Sequence, residues 1–309
     1  MTLALGIDLG GTKIEIIALD EKGEVLLRRR QASPRGNYDQ TLEVLRDLIA
    51  ETEFELGAKG TLGFGTPGAI SPATGLLKNS NSTWLNGKPF DRDLEACLGR
   101  EIAIANDADC LALSEATDGA AAGASSVFCV IIGTGVGGGL VIRGQPLAGP
   151  NAIAGEWGHN QLPWPTPEEL PGPDCYCGLN GCVETWLSGP GMAADHLRVT
   201  GESVEPPTIV RAAADGDAAA EASLARYEHR LARGLAMVIN LIDPDVIVLG
   251  GGLSKLERLY ETVPAIWPTY VFSDTVRTAL RAPVHGDSSG VRGAAWLGRD
   301  RIAPRPGST

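Results

Sequence analysis

No stretch of this chain approaches the ~18 consecutive apolar residues that a membrane-spanning helix needs. Its start, MTLALGIDLGG, has no basic leader, and the apolar stretch ends at Asp8, which argues against a secretory signal. Positive charge is scarce too. The chain has 26 Lys and Arg against 38 Asp and Glu, a net charge of −12. That sign repels phosphate backbones and anionic lipid, so neither nucleic acid nor a membrane is an expected partner. GxxxxGK[ST] is absent, and no GxGxxG opens a helix, so neither a P-loop nor a dinucleotide-binding fold is indicated. CxxC is absent as well, which disfavours a thioredoxin-like pair. The expected compartment is a reducing cytoplasm, where clustered cysteines favour metal over disulfides.

What the chain does have is enough apolar sequence for a large core: 43% of 309 residues. Strand-like stretches alternate with helical ones, the pattern of an α/β fold. LALGIDLG (3–10) ends in a glycine turn, and TKIEIIALDEKGEVLLRRR reads as two more strands around a turn at 21–23. Helical spacing predicts a helix over 39–56, closed by Gly57, and a long one over 218–242, stopped by Asp243-Pro244-Asp245. VIVLGGG follows as a buried strand, Ser254 is a candidate cap for the next helix, and 285–300 reads as a last helix. SSVFCVIIGTGVGGGLVIRGQPL (125–147) echoes the first segment as strand, glycine turn and strand. The two are either an internal repeat, two related halves facing a cleft, or unrelated hairpins.

Glycines after a strand let backbone N–H groups approach a phosphate. GIDLGGTK (6–13) offers this together with the Thr12 hydroxyl and the Lys13 charge, while Asp8 could hold Mg²⁺ through water. IGTGVGGG (132–139) and VLGGG (248–252) are further loops of the same kind. Asp107, in IANDADC, follows a strand and opens a helical run. It is either a helix cap or the carboxylate that accepts a hydroxyl proton in phosphoryl transfer.

Three of the six cysteines fall in CYCGLNGC (175–182). Cys175 and Cys177 are too close for an unstrained disulfide. One more ligand would complete a tetrahedral zinc site with Cys182. His159 is the nearby candidate and His196 its rival, and a cluster of free thiols is the alternative. Cys97, Cys110 and Cys129 sit in apolar contexts and read as core residues.

Taken together, GIDLGGTK, GFGTPG (63–68), IANDADCLALSE, IIGTGVGGG, GEWGHNQLPW and CYCGLNGCVET resemble the ROK family of sugar kinases over nearly the whole chain. The resemblance implies a two-lobed, actin-like or hexokinase-like ATPase fold of duplicated ribonuclease H-like domains, with a small zinc-binding insertion. It implies a lobe over 1–117, rejoined by a helix over 288–300, a second lobe over 118–287 with the zinc motif at 155–184, and a flexible tail over 301–309.

It also implies roles. Asp8, Gly10, Gly11, Thr12, Lys13, Thr134 and Gly135 would hold phosphates, and Gly250, Gly251 and Gly252 would lie by adenosine. Asp107 would be the catalytic base. Gly68, Asn81, Asn106, Asp107, Glu156, His159 and Glu184 would line the sugar pocket, and His159, Cys175, Cys177 and Cys182 would bind structural Zn²⁺. ATP and Mg²⁺ are the implied co-substrate and cofactor, and a homodimer the implied assembly.

SPATGLLKNSNSTWLNGKPF (71–90) resembles the bacterial fructokinases, or manno(fructo)kinases, so the expected reaction is D-fructose to fructose 6-phosphate. A glucokinase or an N-acetylhexosamine kinase is the alternative. The family often has Asn at position 109 and Ile at position 66, where this chain has Asp109 and Thr66. A sugar-responsive ROK repressor is disfavoured, because the first strand begins at Leu3 and leaves no room for a helix-turn-helix. The zinc clip is expected to serve the sugar side, since it joins the segments carrying Glu156 and Glu184.

Overall fold

The alternation of branched apolar residues with glycine turns produces two sheets of the same plan. Residues 3–302 are described by the structure, a computed structural model. Contacts divide the chain into two units. The first contains residues 3–123, 139–154 and 284–302, and the second residues 124–138 and 155–283.

In the first unit the strands are β1 (Ala4–Leu9), β2 (Lys13–Leu19), β3 (Val25–Ala32), β4 (Thr61–Thr66), the short pair β5 (Ala69–Ile70) and β6 (Leu77–Lys78), and β7 (Ala103–Asn106). The helices are α1 (Tyr38–Leu56), α2 (Phe90–Leu98) and α3 (Asp107–Thr117). Sheet order is β3-β2-β1-β4-β7; the first three strands are antiparallel neighbours, and β1, β4 and β7 run parallel.

The chain continues through β8 (Ser126–Ile132), β9 (Val136–Ile142), β10 (Gln145–Pro146), α4 (Val183–Leu187), α5 (Gly189–Thr200), α6 (Pro206–Ala214) and α7 (Ala218–Ile242). It ends with β11 (Val246–Gly250), α8 (Leu259–Ile266), β12 (Ala279–Arg281) and α9 (Ser289–Ile302). The second sheet is ordered β10-β9-β8-β11-β12, with β8, β11 and β12 parallel. The two hairpins are thus the same first step of two sheets with matching strand order. The end of β9 and all of β10 group with the first unit.

Helix α9 rejoins the first unit by packing on β1, β4 and α3. Gly63 makes that approach possible, since a Cβ there would stand 1.8 Å from the Ala294 carbonyl oxygen. Glu115, fully buried, fastens the returning chain. Its carboxylate accepts from the Val284 N–H at 3.1 Å and the Ser289 hydroxyl at 2.7 Å.

Several local expectations change. The last helix starts at Ser289 rather than 285, because a short 3-10 turn, Gly286–Ser288, precedes it. Ser254 does not cap α8; it lies in another 3-10 turn, where its hydroxyl donates to the Gly251 carbonyl. Asp107 is not the cap of α3. Asn106 is, with its Oδ1 accepting the Ala108 N–H at 2.7 Å. The boundary expected after residue 117 falls after 123, and residues 139–154 group with the first unit rather than the second. In the tail expected over 301–309, residues from 303 onward lie outside the described part.

Candidate active site

In the first unit the candidate residues gather where parallel strands end. Asp8 pairs across with Gly65, and Thr66 with Asn106, so the carboxyl ends of β1, β4 and β7 are level. That edge is where open α/β sheets bind ligands. The β1–β2 turn is closed by the Gly10 N–H donating to the Lys13 carbonyl at 3.0 Å. The carbonyls of Gly10 and Gly11 are taken up by the Ser33 hydroxyl at 2.6 Å and the Arg35 Nε–H at 3.2 Å. In a planar trans peptide the following N–H points the opposite way. The N–H groups of Gly11 and Thr12 therefore face away from Ser33 and Arg35, the geometry a phosphate would use. Sequence reasoning missed Ser33 and Arg35, because a serine and an arginine after a strand carry no signal of their own.

Asp107 is the first residue of α3, and its Oδ1 shares the Ala108 N–H with Asn106. Asn106 Nδ2 donates to the Gly68 carbonyl at 3.3 Å, which joins β7 to the turn after β4. Asn81 is exposed in a neighbouring turn that the Asn86 side chain locks through both the N–H and the carbonyl of Ser80. Burial first, then the charges of Asp107 and Glu15, push the Asp8 carboxyl from 3.8 up to about 7, against the pull of Lys13 and Arg30. Two carboxylates crowded at a strand edge suit a cation, whose charge relieves both.

The second unit repeats the arrangement. Gly250 pairs with Ile131, so the Gly250–Gly252 bend stands beside the β8–β9 loop that carries Thr134 and Gly135. Glu184, in the first turn of α4, accepts the Val136 N–H at 2.9 Å. Glu156 is exposed just before the short 3-10 turn Trp157–His159.

His159, Cys175, Cys177 and Cys182 come together with all four ligand atoms within 4.8 Å of one another. Cys177 Sγ lies 3.6 Å from Cys182 Sγ, and Cys175 Sγ 3.6 Å from His159 Nδ1. Tetrahedral zinc with sulfur ligands at about 2.3 Å calls for separations of this size. The Leu179 N–H brings the Cys177 thiol down to about 7, while burial raises Cys175 and Cys182. Three thiolates in so small a space need a cation, so the donor set fits Zn²⁺. His159 Nε2 lies 2.9 Å from the Tyr176 hydroxyl, a contact that fixes the ring. His196, the rival ligand, is buried and bonded to the Ser223 hydroxyl at 2.9 Å instead.

A buried ionic network was not foreseen. Glu169 accepts from Arg233 Nη2 at 2.7 and 2.9 Å and from Arg230 Nε at 2.7 Å. The only sequence hint was two arginines on the apolar face of α7. Cys110 and Cys129 are core residues as read, and Cys97 is half-buried. Among the described residues no helix is long and apolar enough to cross a membrane.

The model of the ROK family matches residues 4–301. The chain is 40% identical over 296 residues to an N-acetyl-D-glucosamine kinase of Aliivibrio fischeri, covering 94% of this chain and 98% of that one. Among solved structures, it resembles a ROK hexokinase from Thermus thermophilus at a TM-score of 0.86 and 31% identity, covering 97% and 99% of the two chains. It also resembles a ROK glucokinase from Streptomyces griseus in complex with glucose and AMPPNP, at a TM-score of 0.76 and 27% identity, covering 96% and 99%. The residues matched by the family, 4–301, include the glycine loops, the Asp107 helix and the cysteine cluster. This chain belongs to the ROK family and is an ATP-dependent sugar kinase.

Proposed function

We propose that the chain transfers the γ-phosphoryl group of ATP to the 6-hydroxyl of a hexose, with N-acetyl-D-glucosamine as the leading acceptor. The observation that carries the transfer is Asp107. It is the first residue of α3, beside the strand end of Asp8, and a neighbouring residue, Asn106, takes the capping role. Its carboxylate accepts the hydroxyl proton as the oxygen attacks phosphorus. The helix N-terminus weakens it as a base, but a loose transition state lets that proton leave late.

Asp8, Gly10, Gly11, Thr12 and Lys13 hold phosphates in the first unit. Thr134 and Gly135 do so in the second, with Gly250, Gly251 and Gly252 by adenosine. Mg²⁺, carried by Asp8 through water, supplies charge neutralisation at the phosphates. The sugar ligands of the first unit are Gly68, Asn81 and Asn106, and those of the second are Glu156, His159 and Glu184. Zn²⁺ on His159, Cys175, Cys177 and Cys182 is structural, since four protein ligands leave no open position.

The choice of acceptor is supported by curated relatives, 38% to 40% identical over 94% of the chain, that are N-acetyl-D-glucosamine kinases. D-fructose is the second reading, and residues 71–90 favour it. The two sugars differ in ring as well as in the acetamido group, and a site that hydrogen-bonds a group only one of them carries discriminates by several orders of magnitude. A panel of kcat/KM for N-acetylglucosamine, fructose, mannose and glucose tests the proposal. Turnover of fructose above N-acetylglucosamine would overturn the leading acceptor and leave the second. A homodimer is the proposed assembly, read by light scattering.

A further inference from the structure

We propose that Glu184 is a positioning residue for the β8–β9 glycine loop, so that the cysteine clip controls nucleotide affinity as well as the sugar side. This rests on the assignment of that loop to phosphate above. The two segments that carry zinc ligands, 157–159 and 182–184, both grip the start of β9, where the loop ends. From the second, Glu184 Oε2 accepts the Val136 N–H at 2.9 Å. From the first, the Trp157 indole N–H donates to the Gly137 carbonyl at 3.0 Å. Gly158, beside the ligand His159, lies so near that a Cβ there would stand 2.2 Å from the Val136 carbonyl oxygen. The N–H of Gly189, just beyond α4, donates to the Gly133 carbonyl at 2.7 Å.

The Glu184 carboxylate also fills the space above Gly135. A Cβ at Gly135 would come within 2.7 Å of Oε2. A loop with Gly at 133 and 135, running into a strand with Gly at 137, 138 and 139, loses much conformational freedom when it is ordered. Anchors that order it beforehand reduce the loss charged to nucleotide binding. The two anchoring segments are joined to each other by the Val183 N–H, which donates to the Asn160 carbonyl at 2.8 Å, and by the cluster of His159 and Cys182. The sugar role proposed for Glu184 then falls to Oε1.

Glu184 therefore does two separable things. Holding Val136 needs only an acceptor, whereas gripping a sugar hydroxyl as a carboxylate needs the charge. The test measures AMPPNP binding by calorimetry in the absence of sugar. Glu184→Ala is expected to weaken AMPPNP at least about 10-fold, the scale of one hydrogen bond to a charged group. Glu184→Gln keeps an acceptor and is expected to stay within about threefold for AMPPNP while losing sugar affinity. Trp157→Phe removes a different anchor and is expected to weaken AMPPNP about threefold. Wild-type protein stripped of zinc, with loss confirmed by metal analysis, is expected to follow Glu184→Ala.

Unchanged AMPPNP affinity in a folded Glu184→Ala variant, with sugar affinity lost, would leave Glu184 a sugar contact only and overturn the proposal. Should that variant fail to fold, unchanged nucleotide affinity in Trp157→Phe and in the stripped protein overturns it equally. A wild-type chain that binds no AMPPNP sinks the phosphate assignment of the loop, and this proposal with it.

Discussion

Replacing Asp8 by asparagine should separate stability from catalysis. The Asp8 carboxyl is held at about 7 in the folded chain, by burial and by Asp107 and Glu15, against 3.8 for the group in water. Between those values the folded chain keeps a proton that the unfolded chain has lost, so this group makes stability fall as pH rises. The penalty is absent below the unfolded value, grows up to a pH of about 7, and is constant above it. A shift of about three units at about 1.4 kcal/mol each sets a ceiling of roughly 4 kcal/mol. Asp8 keeps part of its surface accessible. Water there relaxes the penalty, and about 2 kcal/mol is the working figure.

Asn has the same shape and no charge to bury. Asp8→Asn is therefore expected to be more stable than wild type by about 2 kcal/mol at pH 8, and by less than half of that at pH 5. Its kcat is expected to fall at least about 100-fold, the cost of removing a group that organises charge at the transferring phosphoryl. Urea unfolding at pH 5, 6, 7 and 8, without nucleotide or magnesium, reads the stability. A coupled ADP-release assay reads kcat. A variant less stable than wild type at pH 8, or a gap of equal size at pH 5 and pH 8, refutes the assignment of a strained Asp8.

Two further outcomes follow from the same geometry. Asp107→Asn should lower kcat by about 10² to 10⁴-fold, with sugar affinity by calorimetry within about threefold of wild type, because the amide keeps the shape and can still bond a sugar hydroxyl but cannot take its proton. It also removes a charge that raises Asp8, so the pH dependence of stability should move to lower pH; activity above a few per cent would eliminate Asp107 as the base. Glu169→Gln should destabilise by about 3–5 kcal/mol at pH 7, since it leaves Arg233, 1% exposed, without its charge partner. Burial alone would raise the Glu169 carboxyl, but the Arg233 and Arg230 guanidinium groups outweigh it and bring it down to about 2. Its stabilisation is thus complete above about 4.5 and lost as pH falls towards 2, so the gap between variant and wild type in urea should close over that range. A gap below about 1 kcal/mol at pH 7 would show the network to be dispensable.

The candidate site was legible in sequence where one short stretch carries its own chemistry. GIDLGGTK and IGTGVGGG announce strand-ending glycine turns, and three cysteines within 175–182 announce a metal clip. The matching strand orders of the two sheets bear out the repeat read between the segment that opens with LALGIDLG and 125–147. Asp107 was legible as a carboxylate at a helix start, but not whether it or its neighbour caps the helix. Both side chains accept the Ala108 N–H, and it is the extended backbone at residue 106 that makes Asn106 the cap.

Composition and periodicity alone determined an acidic α/β chain with strand-ending glycine turns and a cysteine cluster, and the likeness of its motifs to the ROK family supplied the expected base and zinc ligands. These are local properties, encoded in residues close in sequence or in a signature shared with relatives. Only the tertiary structure decided the rest. It set the strand register that levels Asp8 with the end of β7, the burial that holds the Asp8 carboxyl at about 7, and the pairing of Glu169 with arginines 61 and 64 residues away. It also gave Glu184 a backbone partner 48 residues back, Val136. Each of these is a distance between residues far apart in the chain, and such distances arise only when the sheet and the helices packed on it close around them.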